Sequence, residues 1–161
     1  MKIYVTSRSR PTLDLWSSTL PRPRDAELEF VDENERSVQA DVFVMSGVWA
    51  FDRYGGKPER EVAQLLPNTR GDSLPQWIVV PPFRPVVERN GKVVVREDFA
   101  SVSPAYHAIL ESLRCIRREF GDAVSVTLHL PLLGMDDPND RSTAESAGRA
   151  ISKFLTEHGM S

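Results

Sequence analysis

Short apolar runs recur along the chain and predict the strands of one sheet. The continuous runs at 42–45 and 77–80 are typical of strands buried on both faces. A β-branched run at 2–6, an alternating run at 27–31 and a mostly apolar run at 124–130 predict three further strands. Because helical patterns separate these runs, the sequence predicts an α/β protein with a mixed central sheet between two helical layers, a three-layer α/β/α fold.

Apolar residues spaced three and four positions apart predict four helices. Three of them are centred near Trp16, Leu113 and Phe154, and Gly121 is expected to end the second of these. Ser142 and Glu145 form a capping-box pattern at the start of the last helix. The remaining helix is predicted to begin at Pro58 and to bury Val62, Leu65 and Leu66.

The dipeptide Asn90-Gly91 predicts a tight hairpin between extended segments at 84–89 and 92–96. Asparagine and glycine both tolerate the left-handed backbone conformation that a two-residue turn requires. We expect this hairpin at the rim of the domain.

Length and composition narrow the function classes. The chain has 161 residues, of which 40% are hydrophobic, and this predicts one domain over residues 1–161. The formal net charge of −3 does not indicate bulk electrostatic binding of nucleic acid. The sequence contains no apolar stretch long enough to cross a bilayer, and its start does not resemble a signal peptide, so we expect a cytoplasmic protein that does not bind membranes.

The cysteine and histidines indicate neither a disulfide nor a metal centre. Cys115 is the single cysteine, and His107, His129 and His158 lie far apart without a recognisable ligand spacing. No metal and no cofactor are therefore predicted.

Two segments that follow predicted strands are candidates for ligand binding. Segment 46–57 contains the pair Gly55-Gly56, and segment 131–139 follows the last strand. In parallel sheets ligands bind beyond the carboxyl ends of the strands, and glycines let the backbone approach them closely. The alternative is that these glycines only form a turn.

The order of these segments resembles the macrodomain fold, in particular its compact phage and bacterial macro-like branch. The first half of the resemblance comprises Met1 to Val5, Trp16, Ala40 to Gly47, Phe51 and Gly55-Gly56. The second half comprises Pro81-Pro-Phe-Arg84, Ser103-Pro-Ala-Tyr106 and Pro131-Leu-Leu-Gly134. Together these matches follow the family's order over nearly the whole chain.

The resemblance implies that the protein binds ADP-ribose or a related nucleotide. It implies that the base lies near Asp32 and Asn34, the phosphates over Ser46-Gly47 and Gly134, and the distal ribose near Gly55-Gly56. The complete implied binding set is Asp32, Asn34, Ser46, Gly47, Trp49, Phe51, Gly55, Gly56, Pro131, Leu133, Gly134, Met135 and Asp136.

Two departures from the family pattern leave the activity open. Trp49 stands where catalytic members have an asparagine, and Asp136 and Asp137 stand where the family has diphosphate-binding glycines. A carboxylate close to a diphosphate would repel it. The alternatives are therefore an ADP-ribosyl hydrolase of the same fold, or a degenerate domain that binds a protein partner.

Individual side chains in these segments have two interpretations each. Asp52, Asp136 and Asp137 are candidate general bases, but an Asp-Asp-Pro-Asn run is also typical of a turn that caps the next helix. Aromatic residues of the first segment could stack on a ligand or pack inside the domain; they are Trp49, Phe51 and Tyr54. Basic residues could neutralise phosphate or remain solvated; they are Arg53, Lys57 and Arg84.

Overall fold

A computed structural model describes residues 1–21, 27–59, 62–82, 86–95, 104–134 and 137–159. Strands and helices alternate along the chain, which confirms the α/β class. The first half contains β1 (Lys2–Ser7), α1 (Arg10–Thr19), β2 (Glu27–Asp32), β3 (Val42–Val44), α2 (Gly47–Tyr54) and β4 (Gln64–Pro67). The second half contains β5 (Trp77–Val80), β6 (Val86–Arg89), β7 (Lys92–Val95), α3 (Pro104–Phe120), β8 (Ser125–His129), a 3-10 helix (Leu130–Leu132) and α4 (Arg141–Gly159).

Six strands form one mixed sheet in the order β2-β1-β8-β3-β5-β4. All neighbouring pairs are parallel except β4 and β5, which are antiparallel. The five strands predicted from the apolar runs all belong to this sheet, so that prediction is confirmed. The last strand, β8, lies between β1 and β3, and the carboxyl ends of these three strands therefore lie side by side.

The two faces of the sheet carry different apolar clusters. Val42 and Val44 belong to the larger cluster, together with residues of α1, α3 and α4. Phe43 and Met45, which alternate with them along β3, belong to the smaller cluster together with residues of α2. Because successive strand residues point to opposite faces, α2 lies on the face opposite the other three helices. The predicted three-layer arrangement is confirmed.

The prediction of a helix that begins at Pro58 is wrong. Residues 64–67 form β4, whose Leu66 pairs with Ile78 of β5 and is buried in the smaller cluster. Val62, predicted to be buried, is 44% exposed. Pairing with β5 satisfies the backbone groups of β4 and buries Leu66, so tertiary context overrides the local pattern.

The stretch after β3, predicted to be a ligand loop, is instead the helix α2. Its N-cap is Ser46, whose side chain accepts a hydrogen bond from the Val48 backbone at 3.4 Å. Gly55, with φ of 83°, ends the helix, and its N–H donates to the Phe51 carbonyl. Ala50 is buried one turn before the end, so the segment has its own amphipathic pattern. The two glycines therefore follow the end of a helix, which agrees with the alternative that they only form a turn.

The hairpin prediction is confirmed. Asn90 and Gly91 have φ values of 52° and 74°, and β6 and β7 pair antiparallel on either side of them. The two strands form a sheet of their own, separate from the six-stranded sheet.

The helix ends agree with the sequence at one position and differ at another. Gly121 ends α3 with φ of 79°, as predicted. The prediction of a capping box at Ser142 is wrong, because α4 already begins at Arg141. The Asp140 carbonyl accepts the first backbone hydrogen bonds of this helix, and the turn before it starts the helix earlier than Ser142. None of the helices in the described ranges is long and apolar enough to cross a membrane.

Candidate functional site

Two strand ends predicted to share a ligand do meet in the structure. The Ser46 backbone N–H, at the end of β3, donates a 2.8 Å hydrogen bond to the Leu132 carbonyl that follows β8. Gly134 has φ of 66°, and a Cβ atom at this position would overlap the Ser46 side chain. The close approach of the two segments therefore requires a glycine at position 134.

A cavity of about 160 Å³ lies beside this contact, and we call it the carboxyl-edge cleft. The first residues of α2 and α3 both border it, so the partly positive N-terminal ends of two helices face the same space. No acidic residue is among the described residues that line it. The lining consists of Ser46, Gly47, Val48, Pro81, Pro82, Pro104, His107, Ala108, Leu133 and Gly134.

The structure separates the other predicted binding residues from the cleft. Asp32 and Asn34 form a turn, in which the Asn34 backbone and side chain both donate to Asp32 Oδ1 at 2.9 and 3.0 Å. Asn34 also donates to the Arg8 carbonyl at 2.8 Å. Gly55 and Gly56 follow the last turn of α2, about 12 Å from its N-terminus for a helix of eight residues. These residues therefore do not line the cleft.

The aromatic residues of α2 differ in their surroundings. Trp49 is 42% exposed on the first turn of the helix, where it is accessible to a ligand. The Phe51 ring packs against Gly47 and Gly56, and a Cβ at Gly47 would lie only 2.7 Å from it. Tyr54 is buried in the smaller cluster. The packing interpretation therefore holds for Phe51 and Tyr54.

The charged residues of the predicted site are mostly engaged elsewhere. Arg53 Nε donates to Asp72 Oδ2 at 2.8 Å, so its guanidinium is held away from the cleft. Asp137 Oδ1 accepts the Asn139 backbone N–H at 2.9 Å, which agrees with the turn interpretation of the acidic run. Asp52 and Lys57 are exposed. Met135, Asp136 and Arg84 lie outside the described residues, and Pro131 belongs to the 3-10 helix without lining the cleft.

Sequence reasoning missed the contribution of α3 to the cleft. His107, buried in the first turn of α3, and the pair Pro81-Pro82 after β5 complete its walls. The available signal was the position of Pro81-Pro82, directly beyond the carboxyl end of a central strand. Within the described part of the chain, no group of three or more histidine, cysteine or acidic residues is arranged to hold a metal ion.

No protein-family model matches the chain, and no curated protein is significantly similar to it. The macrodomain resemblance rests on the sequence motifs. A three-layer α/β/α architecture occurs in many families with different functions, and the fold alone does not select among them.

Proposed function

We propose that the protein binds ADP-ribose or a related nucleotide, with a phosphate group in the carboxyl-edge cleft. One observation carries this proposal: the N-termini of α2 and α3 converge on a cavity that Ser46 and Gly134 close from the strand ends. The resemblance of the sequence to macrodomains supports the choice of ligand.

The electrostatics of the cleft favour an anion. A helix N-terminus carries about half a positive charge. The Val48 N–H donates to Ser46 Oγ and Pro104 has no N–H, so the helix dipoles rather than a row of N–H donors attract the anion here. Gly47 and Gly134 both line the cleft, and their missing Cβ atoms make room for Phe51 and Ser46, which hold the two strand ends close together around it. Of the two acids that the sequence suggested would oppose a phosphate, Asp137 accepts a hydrogen bond from its own turn and is not among the described lining residues, and Asp136 lies outside the described residues.

The size of the cleft suits one part of a nucleotide. Its volume of about 160 Å³ lies below the roughly 300–1,000 Å³ of sites that enclose a whole small molecule. The base and ribose would therefore extend across the surface of α2. Val48 and Trp49, exposed by 71% and 42%, lie at the start of that surface and offer an apolar side chain and an aromatic face.

We propose binding rather than hydrolysis, because Trp49 stands where catalytic members of the resembled family have an asparagine. The second candidate is a protein-interaction module, which the exposure of Val48 and Trp49 favours. In that case the same surface would bind an apolar side chain of a partner, and nucleotides would not bind.

Calorimetry with ADP-ribose, AMP and adenosine tests the proposal. We expect ADP-ribose and AMP to bind at least about 10-fold more tightly than adenosine, since a phosphate at two helix N-termini contributes about 1–2 kcal/mol or more. Relative to the wild type, Gly134→Ala should weaken ADP-ribose binding by a factor of about 10 or more, because the new Cβ atom would displace Ser46.

Gly71→Ala is the matched control. Gly71 has φ of 62°, close to the 66° of Gly134, but no atom lies within 4 Å of a Cβ built on it. This variant therefore carries similar backbone strain without blocking the cleft, and its ADP-ribose affinity should equal that of the wild type. Equal binding of adenosine and AMP, or equal effects of the two alanine variants, would contradict the proposal.

A further inference from the structure

A second cavity lies on the face of the sheet that carries the smaller cluster, and we call it the second-face pocket. Its volume is about 350 Å³, within the size range of sites that enclose a small molecule. Its floor is formed by side chains of β1, β3 and β8, and its walls by segments 37–39 and 73–75. The lining comprises Thr6, Glu33, Ser37, Val38, Gln39, Phe43, Ser73, Leu74, Pro75, Thr127, His129 and Leu132.

The two cavities are distinct. They share no lining residue, and the carboxyl-edge cleft borders α3, which packs on the larger cluster. The second-face pocket is built on Phe43, which belongs to the smaller cluster. An inference about this pocket therefore does not rest on the proposed nucleotide binding.

An oriented imidazole lies in the wall of the second-face pocket. His129 Nδ1 is 2.6 Å from Glu33 Oε1 and 2.9 Å from Thr6 Oγ1. The carboxylate oxygen would repel an unprotonated nitrogen at this distance, so Nδ1 carries the proton and donates it to Thr6 Oγ1, while Glu33 Oε1 accepts no hydrogen bond from the described residues. In the neutral ring Nε2 is then the remaining hydrogen-bonding atom, and it is an acceptor.

The surroundings of His129 keep its ring neutral near neutral pH. Burial lowers the pKa of His129, the charge of Arg8 acts in the same direction, and Glu33 opposes both. Thr6 and Thr127, which flank the ring in the pocket wall, are buried and uncharged. Among the described lining residues, the titratable groups are Glu33 and His129.

We propose that the second-face pocket binds a neutral, partly apolar small molecule whose O–H or N–H group donates to His129 Nε2. Glu33 disfavours an anionic ligand, because a second negative charge in a partly buried pocket is repelled. Apolar side chains offer the ligand a surface to bury, and they belong to Phe43, Leu74, Pro75 and Leu132.

Three matched naphthalene probes test this assignment on the 161-residue chain. 2-Naphthol has the O–H donor, 2-methoxynaphthalene has the same rings without a donor, and 2-naphthoate is an anion. We expect 2-naphthol to bind at least about 10-fold more tightly than either of the others at pH 7.5, as measured by NMR titration. Equal binding of all three, or no binding of 2-naphthol, would overturn the proposal.

The imidazole itself provides a readout that needs no variant. In wild-type protein labelled with ¹⁵N-histidine, the His129 ring should show the Nδ1–H tautomer, and Nε2 should shift when 2-naphthol binds. Affinity for 2-naphthol should fall as the pH drops and His129 becomes protonated, with Glu33 and Arg8 as the charges acting on the ring. An Nε2–H tautomer, or an affinity independent of pH, would contradict the assignment.

Two variants separate the roles of the pair. His129→Phe should remove the preference for 2-naphthol over 2-methoxynaphthalene, because the acceptor is lost while an aromatic ring remains. Glu33→Gln should raise the affinity for 2-naphthoate. Glu29→Gln, a control whose carboxylate pairs with Lys2 and Arg36 and does not line the pocket, should leave all three affinities unchanged. A preference that persists in His129→Phe would exclude the proposed hydrogen bond.

Discussion

Asp72 connects α2 to the loop that precedes β5. Its carboxylate accepts hydrogen bonds from Arg53 Nε, the Tyr54 hydroxyl and the Asn68 side chain, at 2.7–2.8 Å, and from the Leu74 backbone at 3.0 Å. Burial alone would raise the pKa of Asp72, but these hydrogen bonds lower it to about 2. The carboxylate therefore stabilises the folded protein in its charged form.

Asp72→Ala should destabilise the protein by about 1–3 kcal/mol at pH 7, because the partly buried Tyr54 hydroxyl loses its acceptor and the Asn68 amide keeps only the Leu74 and Pro75 carbonyls. The contribution is present above the ordinary pKa of 3.8 and is lost as the pH falls towards 2. Urea unfolding at pH 7 and at pH 2.5 measures both effects. Asp14→Ala, whose side chain is 67% exposed, is the control and should change stability little. A destabilisation that is the same at both pH values would contradict the assignment.

His129 should make the folded protein less stable as the pH falls below neutral. Its pKa is lowered in the folded protein, so the unfolded chain binds the proton first when the pH falls below the ordinary value of 6.5. Stability should therefore decrease from pH 7 to about pH 5.5. His129→Gln should show a smaller decrease over the same range in thermal or urea unfolding. A wild-type stability that rises as the pH falls would show that Glu33 dominates instead.

At the scale of elements, β8 and β4 occupy contrasting positions. β8 is hydrogen-bonded on both sides, to β1 and β3, and its Val126 and Leu128 are fully buried. β4 is an edge strand that pairs only with β5 among the described strands. Core strands with both neighbours in place open less often than edge strands.

We therefore expect amide hydrogen exchange to be slowest in β8 and at least about 10-fold faster in β4. Native-state exchange followed by NMR or mass spectrometry measures this directly. β5, which is paired on both sides, provides the internal reference and should resemble β8. Exchange in β4 as slow as in β8 would contradict the sheet order.

The local pattern of apolar and polar residues correctly predicted the elements whose structure depends mainly on their own residues. The apolar run 42–45 and the periodic helix ending at Gly121 need little information from elsewhere in the chain. β4 depends on its partner β5, since the pairing of Leu66 with Ile78 is absent from the local pattern. α2 was missed because its terminal glycines suggested a ligand loop, although Ala50 and Tyr54 already share one face.

The two candidate sites also differ in whether the sequence alone could predict them. The approach of Ser46 to Gly134 could be predicted, because both follow strands whose carboxyl ends share one edge of the sheet. The second-face pocket could not, because Thr6 and His129 are separated by 123 positions in the sequence. Their contact follows from the insertion of β8 beside β1, which the sequence pattern alone does not reveal.

At the scale of the whole molecule, the two cavities lie near the same strand ends and share no described lining residue. The carboxyl-edge cleft has helix N-termini and no described acidic lining residue, whereas the second-face pocket contains Glu33 and a neutral imidazole. An anion is therefore expected in the first and a neutral donor in the second. The segment 132–134 lies between them, with Leu132 facing the pocket and Leu133 and Gly134 facing the cleft.

Mapping of ADP-ribose on the ¹⁵N-labelled protein tests the central claim most directly. If the phosphate binds in the carboxyl-edge cleft, the amide resonances of Gly47, Val48 and Gly134 should shift first and saturate together. The amides of Gln39 and Ser73, which line the second-face pocket, should remain in place. Shifts confined to the second-face pocket, or no shifts at millimolar ADP-ribose in folded protein, would contradict the proposed function.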